Sequence, residues 1–169
     1  KTKNLIYGSR VHELSEYISK YPSDSNIEPF LKNNLKYKNV ILNFIKKDFK
    51  VIDTESNYKL DRDFYILQGN IDIILEDNSI MDIKTGSFDD LTLKKYKNQL
   101  VTYKYLMELN KEKTNNLYLY FIEKDELIKV EDLNFDISVI DGIAKNILNE
   151  NIYGKTSDTS ECKFCPMKY

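Results

Sequence analysis

The chain has 169 residues, of which 31% are charged and 12% aromatic, and its formal net charge at pH 7 is −2. This composition belongs to a globular protein long enough to bury one core; it excludes an intrinsically disordered chain and a strongly basic protein, so any nucleic-acid surface must be a local patch. No apolar run approaches the roughly 18 residues that a membrane helix needs, and no signal peptide is present, so we expect a cytoplasmic protein without a membrane partner.

Helical patterns open the chain and strand patterns follow. Residues 8–21 carry apolar side chains at helical spacing, with Ser9 as the candidate N-cap, and residues 28–49 predict one or two helices. Residues 50–60 alternate loosely, as a half-buried strand does, and residues 63–75 predict the next strand.

The second half of the chain combines two hairpins with two helices. Residues 79–84 form the first hairpin with the strand before them, and residues 90–110 predict a long amphipathic helix. Residues 116–132 predict a second hairpin, and residues 136–150 predict a last helix. Without any internal repeat or linker, this order predicts one mixed α/β domain over residues 1–169.

The first hairpin, GNIDIILEDNSIMDIKTG at residues 69–86, places charged side chains within an apolar pattern. If its turn has an odd number of residues centred on Asp77, Asp72 lies directly across from Asp82, with Cβ atoms about 4.5–5.5 Å apart. Two carboxylates so close destabilise a sheet unless a cation lies between them, and their oxygens suit Mg²⁺ or Mn²⁺. Lys84, on the same face as Asp82, would stabilise negative charge on a phosphoryl oxygen. These groups together suit metal-assisted phosphodiester hydrolysis.

The same three charged residues also fit a plain structural interpretation. Asp and Lys on strands often mark a solvated face, and Asp82 with Lys84 would then be an ordinary surface ion pair. A turn with an even number of residues would place Asp72 and Asp82 on opposite faces of the sheet and would exclude the metal site.

Four short motifs follow one another along the chain. They are GSRVH at residues 8–12, GNID at 69–72, DIK at 82–84 and QLVTY at 99–103. In this order and at these separations they resemble the pattern G-x-x-x-H, G-x-x-D, D-x-K and Q-x-x-x-Y of the RecB-like branch of the PD-(D/E)xK nucleases. The match covers nearly the whole chain. The resemblance implies an α/β fold with a restriction-endonuclease-like core, a mixed sheet of roughly five strands flanked by helices.

The resemblance implies a set of ligands for Mg²⁺ or Mn²⁺: His12, Asp72, Asp82 and the backbone carbonyl of Ile83. Glu55 matches an acidic residue that often precedes G-x-x-D in this family, although the nearby Asp53 could be the intended match.

The resemblance also assigns catalytic roles. Lys84 would be the catalytic lysine beside Asp72 and Asp82. Gln99 and Tyr103, four residues apart on one helical face, would line the site and steady the scissile strand.

Several lysines lie on the same predicted helix as Gln99. We expect Lys94, Lys95 and Lys97 to contact the phosphate backbone of a nucleic acid, the alternative being an ordinary solvated helix face.

The two cysteines of the chain, Cys162 and Cys165, lie in the tail over residues 155–169. In some relatives such a C-x-x-C pair belongs to four cysteines that hold a 4Fe–4S cluster. Two thiolates alone complete neither a cluster nor a zinc site. We therefore expect a remnant of a cluster motif in a fragment of a longer protein.

The resemblance implies a metal-dependent deoxyribonuclease, an exonuclease rather than an endonuclease, at the carboxy terminus of a UvrD/Rep-type helicase–nuclease such as AddAB or RecBCD. It would act in DNA repair and recombination. Its partners would be DNA, as a single strand or a duplex end, and a helicase in the same chain or in a partner subunit. Two alternatives are a stand-alone exonuclease of the phage or CRISPR type and a non-catalytic DNA-binding or scaffolding module of the same fold.

Overall fold

A computed structural model describes residues 3–21, 29, 31–32, 35–86, 88–131 and 135–149. Its elements, in chain order, are α1 (Lys3–Lys20), α2 (Leu35–Lys46), β1 (Val51–Arg62), β2 (Tyr65–Leu75), β3 (Ile80–Lys84), α3 (Asp90–Leu109), β4 (Leu117–Phe121), β5 (Glu126–Val130) and α4 (Ile137–Leu148). The chain forms two compact units, 1–135 and 136–169, and α4 belongs to the second. Among the described residues, no helix combines the length and the apolarity needed to cross a bilayer.

The five strands form one mixed sheet in the order β1-β2-β3-β4-β5. Neighbouring strands are antiparallel except β3 and β4, which are parallel. Parallel strands need a crossover connection, and α3 provides it. The predicted α/β fold, a mixed five-stranded sheet flanked by helices as in restriction-endonuclease-like proteins, is therefore confirmed.

The predicted start of the first helix is wrong. Helix α1 begins at Lys3 rather than after an N-cap at Ser9. Gly8 lies inside the helix, where a Cβ atom would approach Oγ1 of Thr85 to 3.1 Å. Glycine at position 8 therefore allows α1 to lie close to Thr85, the residue after β3.

Two apolar clusters cover the two faces of the sheet. Met81 and Ile83 of β3 belong to the cluster formed with α1 and α2. Ile80, on the other face, belongs to the cluster formed with α3, which includes Leu100. Since side chains alternate along a strand, Asp82 follows Ile80 onto the α3 face.

Strands β2 and β3 diverge beside Asp72. Their register pairs Ile73 with Met81 and Ile74 with Ile80, which places Asp72 opposite Asp82 and confirms the odd-residue turn. The next backbone N–H of β3, that of Ile83, donates to Oδ2 of Asp72 at 2.8 Å instead of to the backbone of β2. The Asp72 side chain therefore replaces the backbone hydrogen bond that an antiparallel pair would form here, and a gap opens between β2 and β3.

The connection from β3 to α3 directs the helix toward this gap. Gly86 adopts a φ of 95°, a conformation that glycine reaches without a steric penalty. Asp89 is the N-cap of α3, and its side chain accepts a hydrogen bond from the backbone N–H of Thr92 at 2.8 Å.

Candidate active site

Three potential metal ligands converge at the point where the strands diverge. Helix α1 supplies His12, β1 supplies Glu55 and β2 supplies Asp72, and one ligand atom from each lies within 4.8 Å of the other two. Nδ1 of His12 lies 3.3 Å from Oδ2 of Asp72. The structure thus brings together three residues that are widely separated in the sequence, with His12 lying 60 positions before Asp72.

Glu55 reaches this cluster through an unusual backbone conformation. Its φ is 52°, although the pairs Thr54 with Ile73 and Ser56 with Ile71 continue the antiparallel register on either side. A left-handed conformation in a residue other than glycine stores strain and is found most often at functional sites.

The neighbouring Asp53 faces a different set of partners. Its carboxylate accepts hydrogen bonds from the backbone N–H of Thr54 at 2.9 Å and from Oγ of Ser56 at 2.6 Å. Of the two acidic residues considered, the structure therefore places Glu55, and not Asp53, beside His12 and Asp72.

Asp82 and Lys84 form a buried ion pair on the α3 side. The Asp82 side chain is 2% exposed, and its Oδ2 lies 2.7 Å from Nζ of Lys84. Burial, followed by the charge of Asp72, raises the pKa of Asp82 to about 6, and the charge of Lys84 opposes this shift. A buried carboxylate beside a second carboxylate favours the binding of a proton or a cation.

Helix α3 holds the amine of Lys84 with three polar or aromatic side chains. Nζ of Lys84 donates to Oε1 of Gln99 at 3.0 Å, and Nε2 of Gln99 donates to the hydroxyl oxygen of Tyr103 at 2.6 Å. Nζ also lies 4.3 Å from the ring centroid of Tyr96. The helical spacing favours a core role for Tyr96; its position three residues before Gln99 and seven before Tyr103, on one helical face, was the available signal for a place beside Lys84.

An open cleft of about 810 Å³ gives access to the cluster. Its lining residues are Gly8, Ser9, His12, Glu13, Glu16, Glu55, Asp72 and Thr85. Five of these residues belong to α1, so this helix forms much of the cleft wall.

The predicted phosphate-binding lysines lie on different sides of α3. Lys94 and Lys95 are exposed and Lys97 is half-buried. At 100° per residue, Lys95 shares a face with Gln99, whereas Lys94 and Lys97 do not. The predicted cluster cysteines, Cys162 and Cys165, lie outside the described residues.

The donor set fits a hard divalent cation. Carboxylate and carbonyl oxygens are suitable ligands for Mg²⁺ or Mn²⁺, whereas an imidazole is a ligand of transition metals and so favours Mn²⁺ over Mg²⁺. The 3.3 Å between His12 and Asp72 is close to the roughly 3 Å that separates adjacent ligands in an octahedron with bonds of about 2.1 Å. Because the N–H of Ile83 points toward Asp72, the carbonyl of the same strand residue points into the same gap. His12, Glu55, Asp72 and this carbonyl could therefore hold the ion, with Asp82 next to them.

Binding of Mn²⁺ at this cluster is expected to release protons. Burial lowers the pKa of His12, but its hydrogen bond to Asp72 and the charges of Asp72 and Asp82 outweigh burial and raise it. Since a ligand must lose its proton to bind, the apparent Mn²⁺ affinity should fall as pH decreases from 7.5 to 5.5. Titration calorimetry in two buffers of different ionisation enthalpy measures the released protons. A His12→Ala variant should release fewer, and an affinity independent of pH would contradict this assignment.

The chain is similar in fold to solved structures, two of which are described below. No protein-family model and no curated protein matches the chain. The crystal structure of SSO0001 is similar over 94% of this chain and 82% of that one, with 19% sequence identity and a TM-score of 0.54. A protein named "Putative exonuclease" from Eubacterium rectale is similar over 82% of this chain and 65% of its own, with 11% identity and a TM-score of 0.49. The similarity to SSO0001 concerns the fold alone, and the second similarity is too low to carry an argument.

Proposed function

We propose that the chain is a metal-dependent nuclease that hydrolyses phosphodiester bonds in DNA. The observation that carries this proposal is the convergence of Asp72, Asp82 and Lys84 at a gap between two strands, with His12 and Glu55 beside them. An ordinary surface ion pair does not explain a carboxylate that is 2% exposed and lies opposite a second carboxylate. Such an arrangement costs folding free energy unless a cation is bound.

The metal would be held by His12, Glu55, Asp72, Asp82 and the carbonyl of Ile83. When bound, Mg²⁺ or Mn²⁺ supplies an activated water and a positive charge beside the scissile phosphate.

Side chains on β3 and α3 would bind the phosphate groups of the substrate. The amine of Lys84 would donate to a phosphoryl oxygen as negative charge develops there. Gln99 keeps this amine in place through its carbonyl oxygen. The hydroxyl oxygen of Tyr103 accepts from Gln99, so its own proton can be donated to the phosphate backbone. Lys95, on the same face of α3, would extend the contact with the strand.

The wider setting follows from the resemblance of the four motifs. We propose an exonuclease domain of a helicase–nuclease that acts in DNA repair or recombination, with a helicase in the same chain or a partner subunit. Cys162 and Cys165 would contribute to a 4Fe–4S cluster in the longer protein. A linked helicase would deliver the strand at high effective concentration, so weak DNA affinity of this chain alone is expected.

Cleavage of end-labelled single- and double-stranded DNA in Mn²⁺ tests the proposed activity. We expect cutting of linear DNA with Mn²⁺ and none with excess EDTA, and we expect circular single-stranded DNA to resist an exonuclease. Equal DNA binding with and without Mn²⁺, in the absence of cleavage, would favour the non-catalytic module instead.

A matched pair of variants tests the metal ligands. Glu55→Gln should weaken Mn²⁺ binding and cleavage about tenfold, because it removes one charged ligand from the cluster. Asp53→Asn, two residues away, should change both by less than about twofold, because Asp53 contacts only Thr54 and Ser56 among the hydrogen bonds described above. Mn²⁺-dependent melting curves and cleavage rates provide the two measurements. Equal effects of the two substitutions would contradict the assignment of Glu55.

A further inference from the structure

The ring of Tyr96 lies against the amine that the proposed reaction depends on. We propose that Tyr96 is a positioning residue, whose aromatic face holds the ammonium group of Lys84 in its reactive orientation. This inference rests on the proposed function, and it assigns a role to a residue outside the four motifs.

Three side chains contact the ammonium group of Lys84. Nζ lies 2.7 Å from Oδ2 of Asp82, 3.0 Å from Oε1 of Gln99 and 4.3 Å from the ring centroid of Tyr96. The last distance is well within the roughly 6 Å over which a cation is attracted to an aromatic face.

The ring is a partner of a different kind from the two oxygens. The quadrupole of the ring attracts the positive charge of the ammonium group, so the ring holds this group without accepting a directional hydrogen bond. The Lys84 side chain is only 15% exposed, and this desolvation strengthens the attraction to the ring.

The surrounding residues keep Tyr96 itself in position. It lies on α3, half-buried, with its ring centroid 6.3 Å from that of Phe121 on β4. Phe121 is 1% exposed, so the ring of Tyr96 packs against a buried part of the core. A purely structural role in this contact would be preserved by an aliphatic side chain of similar volume, whereas attraction to Lys84 would not.

Two substitutions of Tyr96 separate these roles. Tyr96→Leu keeps an apolar side chain against Phe121 but removes the aromatic face, whereas Tyr96→Phe keeps the face and removes only the hydroxyl. We expect kcat to fall about tenfold to thirtyfold in Tyr96→Leu, with KM for DNA and the Mn²⁺ affinity changed by less than about twofold. Tyr96→Phe should restore kcat to within about threefold of the wild type. The matched control is Tyr105→Leu on the same helix, since Tyr105 packs on Phe135.

A second measurement does not depend on nuclease activity. Protons that lie over an aromatic face resonate upfield of their usual position, so the Hε signals of Lys84 should be shifted upfield in the wild type and in Tyr96→Phe. They should return to the ordinary position in Tyr96→Leu and remain shifted in Tyr105→Leu. Lys84→Met provides the assignment of these signals.

The two measurements distinguish failure of the inference from failure of the proposed function. Absence of DNA cleavage by the wild type, together with shifted Hε signals, would overturn the nuclease and leave the contact in place. Unshifted Hε signals in the wild type, or a kcat in Tyr96→Leu equal to that of the wild type, would overturn the positioning role. An equal loss in Tyr96→Phe and Tyr96→Leu would overturn it as well, because the hydroxyl and not the face would then be responsible.

Discussion

The Asp82→Asn variant is expected to lose cleavage by at least about a thousandfold and yet to unfold at a higher temperature than the wild type when no divalent cation is present. The loss is expected because Asp82 lies opposite Asp72 and is the carboxylate that pairs with Lys84. The gain arises because its charge is buried opposite Asp72, which raises its pKa from 3.8 to about 6.

The sign of the stability effect depends on pH. An acid whose pKa is higher in the folded state binds more protons there, so its contribution to stability is most favourable below about pH 4 and is lost as pH rises through 6. At pH 7.5 the charge costs the metal-free protein about 1–3 kcal/mol of unfolding free energy, and an amide of the same shape avoids that cost.

Melting curves in EDTA at pH 4.5 and pH 7.5 measure this difference. We expect Asp82→Asn to exceed the wild type at pH 7.5 and to exceed it by much less at pH 4.5, while Asp53→Asn follows the wild type at both. Added Mn²⁺ should raise the melting temperature of the wild type more than that of Asp82→Asn. A lower melting temperature for Asp82→Asn in EDTA at pH 7.5 would show that the pair with Lys84 outweighs the repulsion, and would contradict the proposed site.

Replacing Gly69 by alanine is expected to reduce activity about tenfold to a hundredfold and to cost about 1–3 kcal/mol of stability. A Cβ atom at position 69 would lie 2.7 Å from Cε1 and 2.8 Å from Cδ1 of Tyr103, and 3.2 Å from Cδ1 of Leu106. The ring of Tyr103 must therefore move, and its hydroxyl oxygen would leave Nε2 of Gln99, the residue that holds Lys84.

A double-mutant cycle tests whether Gly69→Ala reduces activity by displacing the ring of Tyr103. In a Tyr103→Ala background, Gly69→Ala should have little further effect on cleavage, because the obstructing ring is gone. The control is Gly142→Ala on α4, where nothing lies within 4 Å of the added atom and the substitution should not destabilise. If the losses of cleavage activity are additive in the double variant, Gly69→Ala does not act on Lys84 through the ring of Tyr103.

Local patterns in the sequence were sufficient to predict most of the elements and to limit the register of the first hairpin to two alternatives. Because the side-chain period of a strand is two, Asp72 would lie opposite Asp82 only with an odd-residue turn centred on Asp77, and the register of the structure is the one that such a turn gives. The spacing of Gln99 and Tyr103 predicted that both would share a helical face, and the structure joins them by a hydrogen bond of 2.6 Å.

The sequence by itself thus determined which side chains share a face within each strand of the hairpin, because that relation depends on neighbours along one strand. The structure decided the turn, and with it that Asp72 faces Asp82. Only the tertiary structure decided between Glu55 and Asp53, since the choice depends on a φ of 52° and on the approach of α1. Only the tertiary structure placed the ring of Tyr96 against Lys84, and it required a glycine at position 69 for the ring of Tyr103. These contacts join elements far apart in the chain, and periodicity within one element contains no information about which neighbour packs against it.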